Sequence, residues 1–148
     1  MRIITWNVNH RARAKKIPDQ LSEAIGLLDP DIAVLTEYVS GDGHNQFIDH
    51  LGSTNLMHTR MRYYTPKEKQ VLIASRYPLH EGDIEAPPIA PSVASNTLHI
   101  SLPDAGYEIL GLRVPDYCRE LATKRKAMLG LDNVNSSSNA NKVGNDFW

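Results

Sequence analysis

Short apolar runs, each interrupted by polar or turn-forming residues, set out the first half of the chain. Ile3 and Ile4, with the β-favouring Thr5 and Trp6, lead into Asn7, Val8 and Asn9, the pattern of a strand that ends in polar groups. Ile32, Ala33, Val34 and Leu35 form a continuous apolar segment, as a strand buried on both faces requires, and Glu37 falls where that strand would emerge. Between them Leu21, Ala24, Ile25 and Leu28 stand at helical spacing with Leu27 beside them, after Pro18 and a candidate N-cap at Asp19 and before Pro30. Strand, helix, strand in that order predicts a right-handed crossover between parallel strands. Asn7 and Glu37 then reach the same edge of the sheet.

The rest of the chain is read in the same way. Gly41-Asp42-Gly43-His44 is turn chemistry, and Phe47, Ile48 and Leu51 predict a short second helix closed by Gly52. Leu56 to Tyr64 carries a strand with partial alternation, and Val71-Leu72-Ile73-Ala74 another apolar strand. Pro87, Pro88 and Pro91 make the stretch from Glu85 to Ser95 an irregular connection, because proline donates nothing to a central ladder. Leu98, Ile100 and Leu102 alternate with Thr97, His99 and Ser101, turn through Asp104-Ala105-Gly106 and return as Tyr107 to Val114, an antiparallel hairpin. Arg119 to Leu131 has helical composition. From Asp132 onward asparagine and serine dominate and almost nothing remains to bury, so residues 132–148 are expected to be a polar, disordered tail after a domain over residues 1–131.

Composition narrows the function classes. With 41% hydrophobic and 22% charged residues, 148 residues suit one globular domain. No run approaches the ~20 apolar residues of a membrane span, and a cytoplasmic location is expected. A net charge of −1 lacks the basic excess of a non-specific nucleic-acid binder, although Arg11, Arg13, Lys15 and Lys16 cluster directly after the first strand, where a phosphate would be attracted. Cys118 is the only cysteine, so neither an intrachain disulfide nor a zinc site of cysteine type is supported. The six histidines are scattered without metal-ligand spacing, and Arg76 before Tyr77-Pro78 suits a structural salt bridge better than a substrate contact.

Three landmarks together resemble the amino-terminal half of the endonuclease/exonuclease/phosphatase superfamily: Trp6-Asn7-Val8-Asn9, Asp31-Ile32-Ala33-Val34-Leu35-Thr36-Glu37, and Val71 to Leu79. The hairpin followed by Pro115-Asp116-Tyr117 also stands where that family places one. The resemblance implies an α/β fold, half of a DNase-I-like four-layered α/β sandwich with a mixed sheet and flanking helices. It implies hydrolysis of phosphoesters, nucleic acids among them, with Mg²⁺ or Mn²⁺. Carried onto matching positions, Glu37 becomes the metal-binding carboxylate, Asn7 its neighbour on metal or phosphate, and Asn9 a group facing the scissile phosphate. Arg113 and Tyr117 are looser candidates for phosphate binding. Mg²⁺ suits such a site because it prefers oxygen ligands and takes only one or two protein carboxylates beside substrate oxygens.

The family's Gly-Asp-x-Asn and late Ser-Asp-His motifs are not in this sequence; no histidine follows Tyr117, and Gly144-Asn145-Asp146-Phe147 has the wrong order. A chain without them is expected to be inactive alone, since removing one member of a catalytic unit removes most of its rate enhancement. A first half standing alone is also expected to expose an apolar sheet face, covered by a second copy or a complementary chain. The alternative is a non-catalytic remnant that pairs with another protein through that face. A small doubly wound binding domain is a third reading, but it lacks a glycine-rich loop and suits the late hairpin poorly.

Overall fold

Two parallel strands joined by a helix open the chain, as the apolar spacing requires. The computed structural model describes residues 1–8, 17–62, 69–84 and 96–114. Strand β1 is Ile3–Asn7, helix α1 is Asp19–Leu28, and strand β2 is Ile32–Val39. Ile3 pairs with Ile32 and Asn7 with Thr36 in parallel register. Helix α1 buries Leu21, Ser22 and Ile25, while Leu27 is exposed; its cap is Pro18, and Asp19 is the first helical residue, where a carboxylate favours the positive end of the helix dipole. The chain leaves α1 through Asp29 at φ 45°, a left-handed cap closed by the Asp29 N–H on the Gly26 carbonyl.

Helix α2, His44–Ser53, runs one residue past Gly52, and strands β3, His58–Met61, and β4, Lys69–Ser75, complete a four-stranded sheet in the order β1-β2-β4-β3. Both contacts of β4 are antiparallel. Alternation along β4 then assigns its residues to two cores, because successive side chains leave opposite faces of a strand. Leu72 and Ala74 join Leu21, Ile25, Leu35, Tyr38, Phe47 and Leu51 under the helices. Val71 and Ile73 join Ile32 and Val34 on the other face.

That second face is covered by the same chain. Strand β5, His80–Glu81, β6, Thr97–Leu102, and β7, Tyr107–Leu112, form an antiparallel sheet in the order β5-β6-β7. Leu79, Leu98, Ile100 and Leu102 pack on Ile32, Val34, Val71 and Ile73. The hairpin register follows the alternation in the sequence, with Thr97 opposite Leu112 and Leu102 opposite Tyr107, and Gly106 takes φ 69° at the turn. The described residues thus make three layers: helices, mixed sheet, antiparallel sheet. The expected open sheet face is not met over β2 and β4, because the hairpin is a second sheet and not an extension of the first. Among the described strand residues, apolar exposure remains at Ile3 on β1, 49% exposed, and at Leu110 and Leu112 on β7, 46% and 51% exposed.

All described residues lie in one unit, Met1–Val114. The proline-rich connection, the helix expected over 119–131, the tail 132–148 and the boundary before it lie outside the described residues. Among the described residues no helix is long and apolar enough to cross a membrane.

Candidate active site

Strand β2 does not simply end at Glu37. Its pairing with β4 runs Leu35 to Leu72 and then Tyr38 to Gln70, so β2 holds one more residue than its partner between those pairs. The extra residue is taken up as a β-bulge at Thr36-Glu37, and Glu37 sits at φ 57°. A side chain other than glycine in the left-handed region costs about 1–2 kcal/mol. Asp29 and Asn55 also have positive φ, but both follow helices, where short polar residues tolerate it. Glu37 is the one such residue inside a strand among those described. The bulge re-aims its carboxylate while Leu35 and Tyr38 on either side stay fully buried.

Two cations from two other strands receive that carboxylate. The Lys69 ammonium at the start of β4 donates to Glu37 Oε2 at 3.0 Å, and the Arg113 guanidinium just after β7 donates through Nε to Oε1 at 3.2 Å. Arg113 is itself fixed. Its Nη1 donates to Asn96 Oδ1 at 2.8 Å and its backbone N–H to the Asn96 carbonyl at 2.8 Å. Arg113 comes from the second sheet and Glu37 from the first, so the two sheets must approach closely here. Gly111, two residues before Arg113 on the same strand face, makes that approach: a Cβ there would stand 2.6 Å from Val71 Cγ1.

The electrostatics follow from this geometry. Burial alone would push the Glu37 carboxyl up, but the hydrogen bonds and charges of Lys69 and Arg113 together outweigh it and hold the group below its ordinary value. Glu37 is therefore ionised throughout the neutral range. Asn7 is exposed at the end of β1, in register with Thr36, and the Val8 N–H donates to the Thr36 carbonyl at 2.9 Å. The two leading candidates from the sequence thus lie at adjacent register positions on neighbouring strands. Arg113 joins them directly through Glu37. Asn9 and Tyr117 lie outside the described residues.

These groups fit the chemistry of a magnesium ion. They offer an ionised carboxylate one register position from the strand end that carries Asn7, and Mg²⁺ asks for no more than one or two protein carboxylates. Lys69 and Arg113 already bring two positive charges to one carboxylate, the charge of a divalent ion. A carboxylate has about four lone-pair directions, so an ion would share or displace those partners. Among the described residues no group of three or more His, Cys, Asp and Glu comes together, which leaves no all-protein cage.

Lys69 and Asn96 were not singled out by the sequence. Asn96 was within reach: once Thr97 is placed opposite Leu112, Asn96 falls opposite Arg113. Lys69 depends on the pairing of β2 with β4, which no local pattern announces. Arg76 lies at the far end of β4, where it bridges Asp29 and Asp31, as a structural salt bridge should. His99 is buried in the second sheet beside a cleft of about 100 Å³, its Nδ1 accepting the Ile84 N–H at 3.0 Å. A Cβ on Gly82 would stand 2.0 Å from that nitrogen, so this edge of the ring is packed on backbone, while the buried Nε2 has no hydrogen-bond partner among the described residues and lies 3.7 Å from Glu108 Oε2.

No protein-family model matches the chain, and no curated protein matches it. Among solved structures it is similar to the crystal structure of an endonuclease/exonuclease/phosphatase from Beutenbergia cavernae, with a TM-score of 0.52 and 19% identity over 90% of this chain. The fold is that of part of an endonuclease/exonuclease/phosphatase domain. The chain spans 44% of the length of that structure. The endonuclease/exonuclease/phosphatase likeness read from three short motifs in the sequence is thus met at the level of the fold.

Proposed function

We propose that this chain carries the metal- and phosphate-holding side of a Mg²⁺-dependent phosphoester-hydrolase site. The observation that carries the reading is the strained Glu37, ionised and gripped by Lys69 and Arg113 beside the end of β1. Backbone strain at a charged residue is retained where it positions a functional group. Glu37 and Asn7 would hold the ion, which when bound supplies positive charge for the phosphoryl oxygens and leaving group. Arg113 would hold phosphate as a fork of donors. Asn9 and Tyr117 are assigned the phosphate-facing roles that the resemblance implies.

The water-activating groups of the endonuclease/exonuclease/phosphatase motifs are absent from this sequence, so the chain alone is assigned little or no turnover. The experiment is hydrolysis of a generic phosphodiester and of plasmid DNA with Mg²⁺ or Mn²⁺, wild type against Glu37→Ala. Equal, negligible rates are expected from the isolated chain. Turnover that disappears in the variant would show that these residues assemble a working site without the missing motifs. Turnover that survives it would remove Glu37 from the chemistry. A second reading, a non-catalytic module that pairs with another protein through an exposed sheet face, is favoured by Leu110 and Leu112, 46% and 51% exposed on β7.

A further inference from the structure

Arg113 is held on two sides and open on a third. Its Nε donates to Glu37 Oε1 at 3.2 Å and its Nη1 to Asn96 Oδ1 at 2.8 Å. Nη2, with two further N–H groups, meets no acceptor among the described residues and is not buried, so it reaches solvent. Asn96 does its holding as a cross-strand partner. The register that sets Thr97 opposite Leu112 sets Asn96 opposite Arg113, and the Arg113 N–H on the Asn96 carbonyl at 2.8 Å closes the pair. Residues directly opposite on antiparallel strands send their side chains to one face. Asn96 is only 2% exposed, so packing fixes its amide. At the far end of β4 Arg76 is met by two carboxylates, Asp29 and Asp31. On Arg113 the second acceptor is an amide, which takes the hydrogen bond and leaves the charge. Among the described residues its one carboxylate is Glu37, shared with Lys69.

We infer that Asn96 is a positioning residue that aims Arg113 at an oxyanion while leaving its charge uncompensated. This rests on the phosphate-holding role proposed for Arg113 and names the edge that performs it. Nη2 faces the anion, and Nε and Nη1 stay on Glu37 and Asn96. A guanidinium fixed at two of its nitrogens has its third already oriented, so little side-chain freedom is lost when a ligand binds. Aspartate at position 96, the same in shape, would keep the acceptor and add a second carboxylate to the guanidinium. The geometry would survive and the attraction for an anion would not.

The test is calorimetric titration with inorganic phosphate in the presence of Mg²⁺ on wild type, Asn96→Asp, Asn96→Ala and Arg113→Gln, with denaturant unfolding of the same four. Asn96→Asp is expected to bind phosphate roughly tenfold more weakly than wild type yet to unfold at a similar denaturant concentration, since the hydrogen bond is kept and becomes charge-assisted. Asn96→Ala should unfold at lower denaturant and lose roughly threefold in phosphate affinity, because the guanidinium is still charged but no longer held. Stability then ranks aspartate above alanine and affinity ranks them the other way, which a purely structural asparagine would not do. Affinities that follow stability, or wild-type affinity in Asn96→Asp with Arg113→Gln defective, overturn the positioning role and leave Arg113 on phosphate. Should Asn96→Asp not fold, Asn96→Ala decides, and unchanged affinity there overturns the positioning role. Equal binding in wild type and Arg113→Gln, or no binding in wild type, overturns both.

Discussion

The two ends of β2 each carry a carboxylate held by an arginine, yet they are built on opposite terms. At the first end Asp31 accepts the Arg2 backbone N–H at 2.6 Å, lies 3.4 Å from Arg76 Nη1 and 3.9 Å from the amino terminus, and shares Arg76 with Asp29. Its backbone is ordinary. The Asp31 carbonyl also takes the Arg76 N–H at 3.0 Å, so this end ties the chain terminus, the α1 exit and the end of β4 together. At the other end one carboxylate faces two cations, and the backbone is forced into the left-handed region to put it there. The first arrangement resembles a clasp of two acids on Arg76, and its one left-handed residue, Asp29, stands at a helix exit where a short polar side chain tolerates it. The second keeps a surplus of positive charge around a strained acid.

The largest effect should come from separating the sheets near Glu37. Gly111→Val is expected to destabilise the fold by about 1–3 kcal/mol, because the stiff Val71 side chain cannot swing away from the new atoms. Denaturant unfolding measures it. The same change should weaken the Arg113–Glu37 pair and leave Asp31 untouched. Full stability in the variant would mean that close approach at Gly111 does not position Arg113.

Strain separates the two ends more finely. Glu37→Gly should be more stable than Glu37→Ala by about 1 kcal/mol, since both lose the carboxylate and only glycine is at ease at φ 57°. At Asp31 the order should reverse, alanine being the more stable. Parallel denaturation curves of the four variants decide it. The same order at both positions would remove strain from the account.

The smallest effect is in pH. The folded-state pKa of Glu37 lies below the ordinary 4.5, so the folded chain binds this proton less readily than the unfolded one. The carboxylate's contribution to stability is therefore complete above that ordinary value and is lost as pH falls through the folded-state pKa. Wild type should exceed Glu37→Gln by roughly 0.2–1 kcal/mol at neutral pH. The gap should close in acid, as pH-dependent unfolding would show.

How far the sequence could be read also differs between these features. The parallel β1–α1–β2 unit was legible because helical spacing and an apolar run are local and their order fixes the crossover. The β6–β7 hairpin was legible from alternation and its Gly106 turn. The bulge was not, since Thr36-Glu37-Tyr38 continues a strand-compatible run and one extra residue leaves no trace until β4 is set beside it. Lys69 was hidden for the same reason. That the β6–β7 hairpin covers β2 and β4 as a second sheet was not legible, since its strands alternate alike whether they extend the first sheet or pack on it. Glu37, Asn7 and Arg113 were named from the sequence, while the pairing of Arg113 and Lys69 with Glu37 depends on contacts between distant parts of the chain.

The most direct test of the contrast is the thermal shift produced by Mg²⁺ in wild type, Asp31→Ala and Glu37→Ala. A ion that binds only the folded chain raises its midpoint by mass action. Mg²⁺ should raise the midpoint of wild type and of Asp31→Ala by similar amounts and leave Glu37→Ala unmoved. An equal shift in all three, or a shift abolished by Asp31→Ala and kept by Glu37→Ala, would contradict the assignment of the ligand site to the strained end of β2.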